Sequence, residues 1–120
     1  MTRLLNEYEA RLLRRAISEA KVGSFSEVDL STAEVEDIAA EDRDWHHVRL
    51  SYPDWRWDGS GYVIIADWTA RDVDGHVVEL LVLGDEHGRP YELEIRRPDL
   101  RPILHLPKVE MWQPVGAHRP

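Results

Sequence analysis

From His76 to Asp99 the chain reads His-Val-Val-Glu-Leu-Leu-Val-Leu-Gly-Asp-Glu-His-Gly-Arg-Pro-Tyr-Glu-Leu-Glu-Ile-Arg-Arg-Pro-Asp. An apolar run, the turn-rich Asp85-Glu86-His87-Gly88 and a strictly alternating run together predict a β-hairpin. Closing the loop over those four residues sets Gly84 opposite Arg89. Val82 then lies by Tyr91, Leu80 by Leu93 and Val78 by Ile95 on one apolar face. On the other face Glu79 meets Glu94 and Leu81 meets Glu92. A slip of one residue would destroy this agreement, because successive side chains point to opposite sides of a sheet.

The preceding run, Tyr62 to Arg71, is a second strand. Val73-Asp74-Gly75 suits a three-residue hairpin loop with Gly75 in the left-handed position. Pairing Asp72 with His76 sets Ala70 by Val78, Trp68 by Leu80 and Ala66 by Val82. Two independent turns therefore point the same residues inward. Val48 to Tyr52 alternates as a further strand that Pro53 ends.

Asn6 to Lys21 carries Tyr8, Leu12, Leu13, Ala16, Ile17 and Ala20 at the spacing of one helical face. Asn6 with Glu9 resembles a capping box, and Gly23 supplies a stop signal. Arg11, Arg14, Arg15 and Glu19 form the solvated back. Ser31 to Ala40 reads as a short helix followed by loop, with a brief strand over Val35–Ile38 as the alternative. Pro98, Pro102 and Pro107 leave at most a short edge segment between them. The expected fold is α+β. Its N-terminal helix packs on one face of an antiparallel sheet of about four strands, mostly in sequential order and joined by hairpins. Residues 1–120 form one domain, with 109–120 a loosely ordered tail in which Val109, Met111 and Trp112 could anchor. The expected core is Tyr8, Leu12, Leu13, Ile17, Tyr62, Ile64, Trp68, Val78, Leu80, Val82, Leu93 and Ile95.

Composition narrows the function classes. The 120 residues are 42% hydrophobic and 32% charged, with a formal net charge of −8. Such a field disfavours nucleic acid and anionic membrane surfaces and favours a basic protein partner. Without cysteine there is no disulfide framework and no thiolate chemistry. Charge at Arg3, Glu7 and Glu9 interrupts the start too early for a signal peptide. No apolar run approaches the roughly 18 residues of a membrane span. A cytoplasmic domain is expected.

Catalytic signatures are missing: there is no His-Glu-x-x-His, no phosphate-cradling glycine loop and no Gly-x-Ser-x-Gly elbow. His46 and His47, adjacent in a strand, would point to opposite faces and cannot share one ion from that geometry. Asp72/Asp74/His76 and Asp85/Glu86/His87 are more simply turn residues. No metal or other cofactor is expected. Two acidic surfaces remain as candidates for partner binding. One is the stretch holding Glu34, Glu36, Asp37, Glu41 and Asp42, extended by Asp44. The other is the outer sheet face with Asp67, Glu79, Glu92 and Glu94, accompanied by Thr69, Arg71 and Arg96. Clustered carboxylates could also divide acid and base roles in a small acid–base or metal-assisted hydrolase, though that needs a concave site. Trp55 and Trp57, two apart in a loop, could instead join copies in a homo-oligomeric structural module, although a monomer is favoured.

The ordered pieces Asp72-Val73-Asp74-Gly75, Val77 to Leu83, Asp85-Glu86-His87-Gly88 and Tyr91-Glu92-Leu93-Glu94-Ile95, continuing to Asp99 and Ile103, resemble a group of small bacterial proteins of unknown function. They also resemble immunity proteins of polymorphic and contact-dependent growth inhibition toxins. Ile95-Arg96-Arg97-Pro98 stands where an aromatic and a single lysine are usual. The resemblance implies a stoichiometric inhibitor of one toxin domain, often a nuclease, with no enzymatic activity of its own. It carries over no individual functional residue.

Overall fold

Asn6 caps helix α1 (Glu7–Glu19) in the predicted way. Its side chain accepts from the Glu9 N–H at 2.8 Å, and the Glu9 carboxylate accepts from the Asn6 N–H at 2.9 Å. Leu12, Leu13 and Ala16 are fully buried, while Tyr8 and Ile17 are half-buried against the same core. The computed structural model describes residues 2–20, 30–38, 45–59, 61–86 and 88–115; the expected helix end at Lys21 and the stop at Gly23 lie outside them.

The helix rests on an antiparallel sheet of seven strands: β1 (Arg3–Leu4), β2 (Glu34–Asp37), β3 (His46–Ser51), β4 (Val63–Arg71), β5 (Val77–Gly84), β6 (Pro90–Arg96) and β7 (Gln113–Pro114). Their order across the sheet is β1-β2-β3-β6-β5-β4-β7. The α+β class agrees with expectation, but the sheet is larger than about four strands. The four strands that carry periodicity are its centre, β3 to β6. The additions are two to four residues long, too short to show a period. Neighbours in the chain are neighbours in β4-β5-β6, whereas β3 crosses over to pair with β6.

Over the described part of the 31–40 stretch, residues 31–38, the brief strand replaces the expected short helix. A 3₁₀ turn at Leu30–Thr32 leads straight into β2. There Val35 is fully buried opposite Leu50, and Glu34 and Glu36 stay exposed on either side of it. Period two has won over helical capping chemistry because β3 offers a partner.

The β4–β5 hairpin has the expected register, with Ala66 opposite Val82, Trp68 opposite Leu80 and Ala70 opposite Val78. Gly75 closes its turn at φ +85°. The β5–β6 hairpin is offset by two residues from expectation: Val82 faces Leu93, Leu80 faces Ile95 and Glu79 faces Arg96. Two causes combine. The loop closes between Asp85 and Arg89, with Gly88 at φ +87°, and a bulge follows between Leu83 and Gly84. A shift of two preserves the faces, so Val78, Leu80, Val82, Leu93 and Ile95 are all buried. The expected Glu79–Glu94 repulsion is replaced by an Arg96–Glu79 pair at 3.5 Å.

A second bulge corrects the expected core. Between Ile64 and Ala66 the β4 register shifts. Ile65 and Ala66 are both buried, while Ile64 and Tyr62 are turned out, 52% and 60% exposed. Alternation read from sequence alone cannot anticipate the extra residue of a bulge.

The segment expected as a loose tail is docked as far as Val115. Trp112 is fully buried in the core with Val109, and its indole Nε1 donates to the Tyr8 hydroxyl at 3.1 Å. Tyr8 in turn donates to the Pro107 carbonyl at 2.6 Å. Truncating Trp112 to Ala should therefore destabilise the fold by about 3–5 kcal/mol, the usual cost of a large aromatic lost from a core. In urea titrations the midpoint should fall with little change of slope.

Candidate functional site

One face of the sheet meets the helix. On the other, alternation along the strands brings together Glu34 and Glu36 of β2, His47 and Arg49 of β3, Glu92, Glu94 and Arg96 of β6, Glu79, Leu81 and Leu83 of β5, and Asp67, Thr69 and Arg71 of β4. The register sets two rows across it. Glu36, Arg49, Glu92 and Leu83 follow one another in the first, and His47, Glu94, Leu81 and Asp67 in the second. Aliphatic side chains thus sit amid carboxylates, and the two acidic stretches considered separately in the sequence become one continuous surface. Asp37 is not on that surface: alternation along β2 sets it on the side of the buried Val35, where Arg3 holds it through Nε–Oδ2 at 3.0 Å and Nη2–Oδ1 at 2.9 Å. Glu41 and Asp42, like Asp44, lie outside the described residues.

Several of the carboxylates are already paired. Arg49 Nε donates to Glu92 Oε1 at 3.2 Å, and Arg96 lies between Glu79 at 3.5 Å and Glu94 at 3.8 Å. His47 stands between Glu92 at 3.3 Å and Glu94 at 3.5 Å. Such half-exposed pairs each contribute about 0–1 kcal/mol, so they orient side chains more than they stabilise the fold. By contrast, the carboxylates of Glu34, Glu36 and Asp67 have no ion pair or side-chain hydrogen bond among the described residues.

At one end of this face the β6 bulge takes Tyr91 out of its expected place opposite Val82. The residue is buried, 3% exposed, yet lies outside the main core cluster. Trp57 stacks on it, with ring centroids 4.4 Å apart and planes within 4°. The Trp57 Nε1 donates to the Gly61 carbonyl at 3.3 Å. Between this stack and β2 and β3 opens a cleft of about 270 Å³, walled by Glu34, Glu36, Arg49, Ser51, Arg56 and Trp57. Trp55 packs under the Arg89 guanidinium at 4.4 Å, so the two tryptophans cover the end of the sheet in different ways.

Sequence reasoning missed a buried ionic cluster at the helix start. Glu9 is fully buried, takes a bidentate pair from Arg3 at 2.7 and 2.8 Å, and meets His46 Nε2 at 2.6 Å. Its capping spacing was legible, its burial was not. Burial alone would raise the Glu9 pKa; the hydrogen bonds from Arg3, His46 and the Asn6 N–H outweigh it and hold the group at about 2. Arg97 is the other omission. It donates to Asp99, Asp74 and Asp72, and its hydrogen bond, offset in part by desolvation, holds Asp99 at about 2. Among the described residues no group of three or more His, Cys, Asp or Glu is arranged to hold a metal ion. No helix among them is long and apolar enough to cross a membrane.

An N-terminal helix on one face of an antiparallel sheet, with the other face left as a charged and aliphatic surface, defines an α+β protein of the one-sided kind. Residues 2–107 match the family described as Domain of unknown function (DUF6984), and the chain belongs to that family. No curated protein and no solved structure matches the chain.

Acid should unfold the protein through the clustered carboxylates. Both Glu9 and Asp99 have pKa values below their ordinary 4.5 and 3.8, so each contributes stability above that ordinary value and loses it as pH falls towards 2. Glu9→Gln should cost about 2–3 kcal/mol at neutral pH, the scale of a hydrogen bond to a charged group. It should also flatten the pH dependence between 4.5 and 2. Thermal melts of both proteins across that window test this; parallel curves would contradict it.

Proposed function

We propose that the chain is a stoichiometric, non-catalytic inhibitor of the immunity type, which neutralises a cognate basic toxin domain through the open face of its sheet. The observation that carries this reading is that face itself, where Leu81, Leu83 and the exposed Ile64 lie among Asp67, Glu79, Glu92 and Glu94. Apolar centres with polar rims are the anatomy of protein interfaces. A toxin that acts on nucleic acid must present a basic surface to phosphate, and an acidic inhibitor gains association rate from the opposite sign. The net charge of −8 works in the same direction. The resemblance of the Asp72–Ile103 hairpin region to immunity proteins supports the same class.

A hydrolase using Asp67, Glu79, Glu92 and Glu94 is less well supported. General acid–base chemistry works best where water is excluded. These carboxylates spread over an open strand surface, three of them already beside cations. The homo-oligomer reading loses its main support because Trp55 and Trp57 have partners within the chain, Arg89 and Tyr91.

Where a neighbouring gene encodes a small basic toxin domain, co-expression of this chain with it should restore growth, and the purified pair should form a 1:1 complex. Asp67→Lys with Glu94→Lys should slow association about tenfold at low ionic strength, and less at high salt, since steering charges act mainly on the on-rate. Failure to rescue growth, together with substrate turnover by the purified chain, would overturn the reading.

A further inference from the structure

The open face is not uniform, and its two ends differ in what they can offer a partner. Glu79 and Glu94 are engaged by Arg96, and Glu92 by Arg49. Across the β2–β3 pairing, Glu34 lies opposite Ser51 and Glu36 opposite Arg49, and both carboxylates reach the cleft beside Trp57 without a partner among the described residues. We infer that this cleft receives an arginine side chain of the protein partner, laid against the Trp57 ring with Glu34 and Glu36 as its counter-charges. The inference rests on the inhibitor reading above and names the contact at its centre.

Three observations converge on that occupant. Trp57 is a fixed wall, clamped parallel to Tyr91 at 4.4 Å and tied through Nε1 to the Gly61 carbonyl. A planar guanidinium stacks on indole at low entropic cost and forks onto carboxylates in a way an ammonium cannot. The volume of about 270 Å³ falls below the about 300–1,000 Å³ of small-molecule sites and suits one long side chain. Charge is complementary as well: the Arg49 cation is offset by Glu92 at 3.2 Å. Arg56, which also lines the cleft, opposes an incoming cation, and its removal should therefore strengthen binding. Tyr, Trp and charged side chains meeting in one pocket at the edge of an apolar strip have the composition of an interface hot spot.

The test uses the full isotope-labelled chain and a Gly-Arg-Gly-Arg-Gly peptide at low salt, with its Lys and Glu counterparts as controls. The expected result is saturable movement of the Trp57 indole N–H signal and of the amides at 34–36 and 49–51, strongest for the Arg peptide and absent for the Glu peptide. Glu34→Gln with Glu36→Gln should raise the peptide Kd at least tenfold, and Arg56→Glu should lower it severalfold. Equal binding of Arg and Lys peptides, movement centred on Glu79 and Glu94, or indifference to all three substitutions would overturn the inference. Growth rescue separates it from the broader reading. If the Glu34→Gln, Glu36→Gln protein rescues as well as the unmodified chain, the cleft is not the anchor and the inhibitor reading stands. If the unmodified chain fails to rescue while the peptide still binds in the cleft, the arginine site stands and the inhibitor reading falls.

Discussion

Asp72 is the point at which the separate parts of this fold are joined. Its carboxylate accepts from the Val73 N–H at 2.7 Å, from Leu104 N–H at 2.7 Å, from His105 N–H at 2.9 Å and from Arg97 Nη1 at 3.1 Å. The β4–β5 turn, the end of β6 and the irregular segment before the 3₁₀ turn at Val109–Met111 thus share one buried anion. Burial on its own would favour the neutral acid, but the converging N–H groups and the guanidinium keep the carboxylate charged, with its pKa below the ordinary value. Arg97 completes the arrangement through Asp99 and Asp74. Just beyond it Leu100 adopts φ +67°, a left-handed conformation that costs a non-glycine residue of order 1 kcal/mol or more. That strain is tolerated because the turn from Arg97 O to Leu100 N–H is fixed on both sides. The node works together with Ile103, which is buried in the core, and with the Tyr8 hydroxyl on the Pro107 carbonyl to hold the strandless segment from Pro98 to Pro107 against the sheet.

Much of the fold was legible because two turns independently gave the same inside. Asp74-Gly75 set the β4–β5 register to the residue, since its loop length matched the left-handed glycine. The β5–β6 register was missed by two, an error invisible to any argument from faces, because a shift of two keeps every side chain on its own side. Bulges are the common cause of what was missed. One turned Ile64 and Tyr62 outward, the other released Tyr91 towards Trp57, and neither leaves a mark in a pattern of alternating residues. The docked C-terminal segment was hidden for a different reason. Its only strong signal was Trp112, and a single tryptophan among prolines does not disclose whether it packs or hangs free.

The candidate surface was half visible. The sequence assigned Glu79, Glu92 and Glu94 to the outer face correctly, since that depends on parity alone. It could not join them to Glu34 and Glu36, because β3 pairs with β6 across a long gap in the chain and only this pairing brings β2 alongside. Nor could it separate carboxylates already paired from those left unpaired. That distinction depends on side-chain distances of a few tenths of an ångström, and on it turns the difference between a solvated charge ladder and a place where a cation can be desolvated with gain.

The outermost strands carry a consequence for how the protein behaves at high concentration. β1 and β7 are each two residues long, yet they occupy both margins of the sheet. A long bare strand at either margin would offer a ladder of unpaired N–H and C=O groups to any neighbouring chain. Here one margin ends in Pro114, which has no N–H to donate, and the other in Arg3, whose guanidinium is tied to Asp37 and Glu9. The protection is local, because β7 covers only Trp68 and Thr69 of the nine-residue β4; the rest of that edge keeps backbone groups that a further strand could pair.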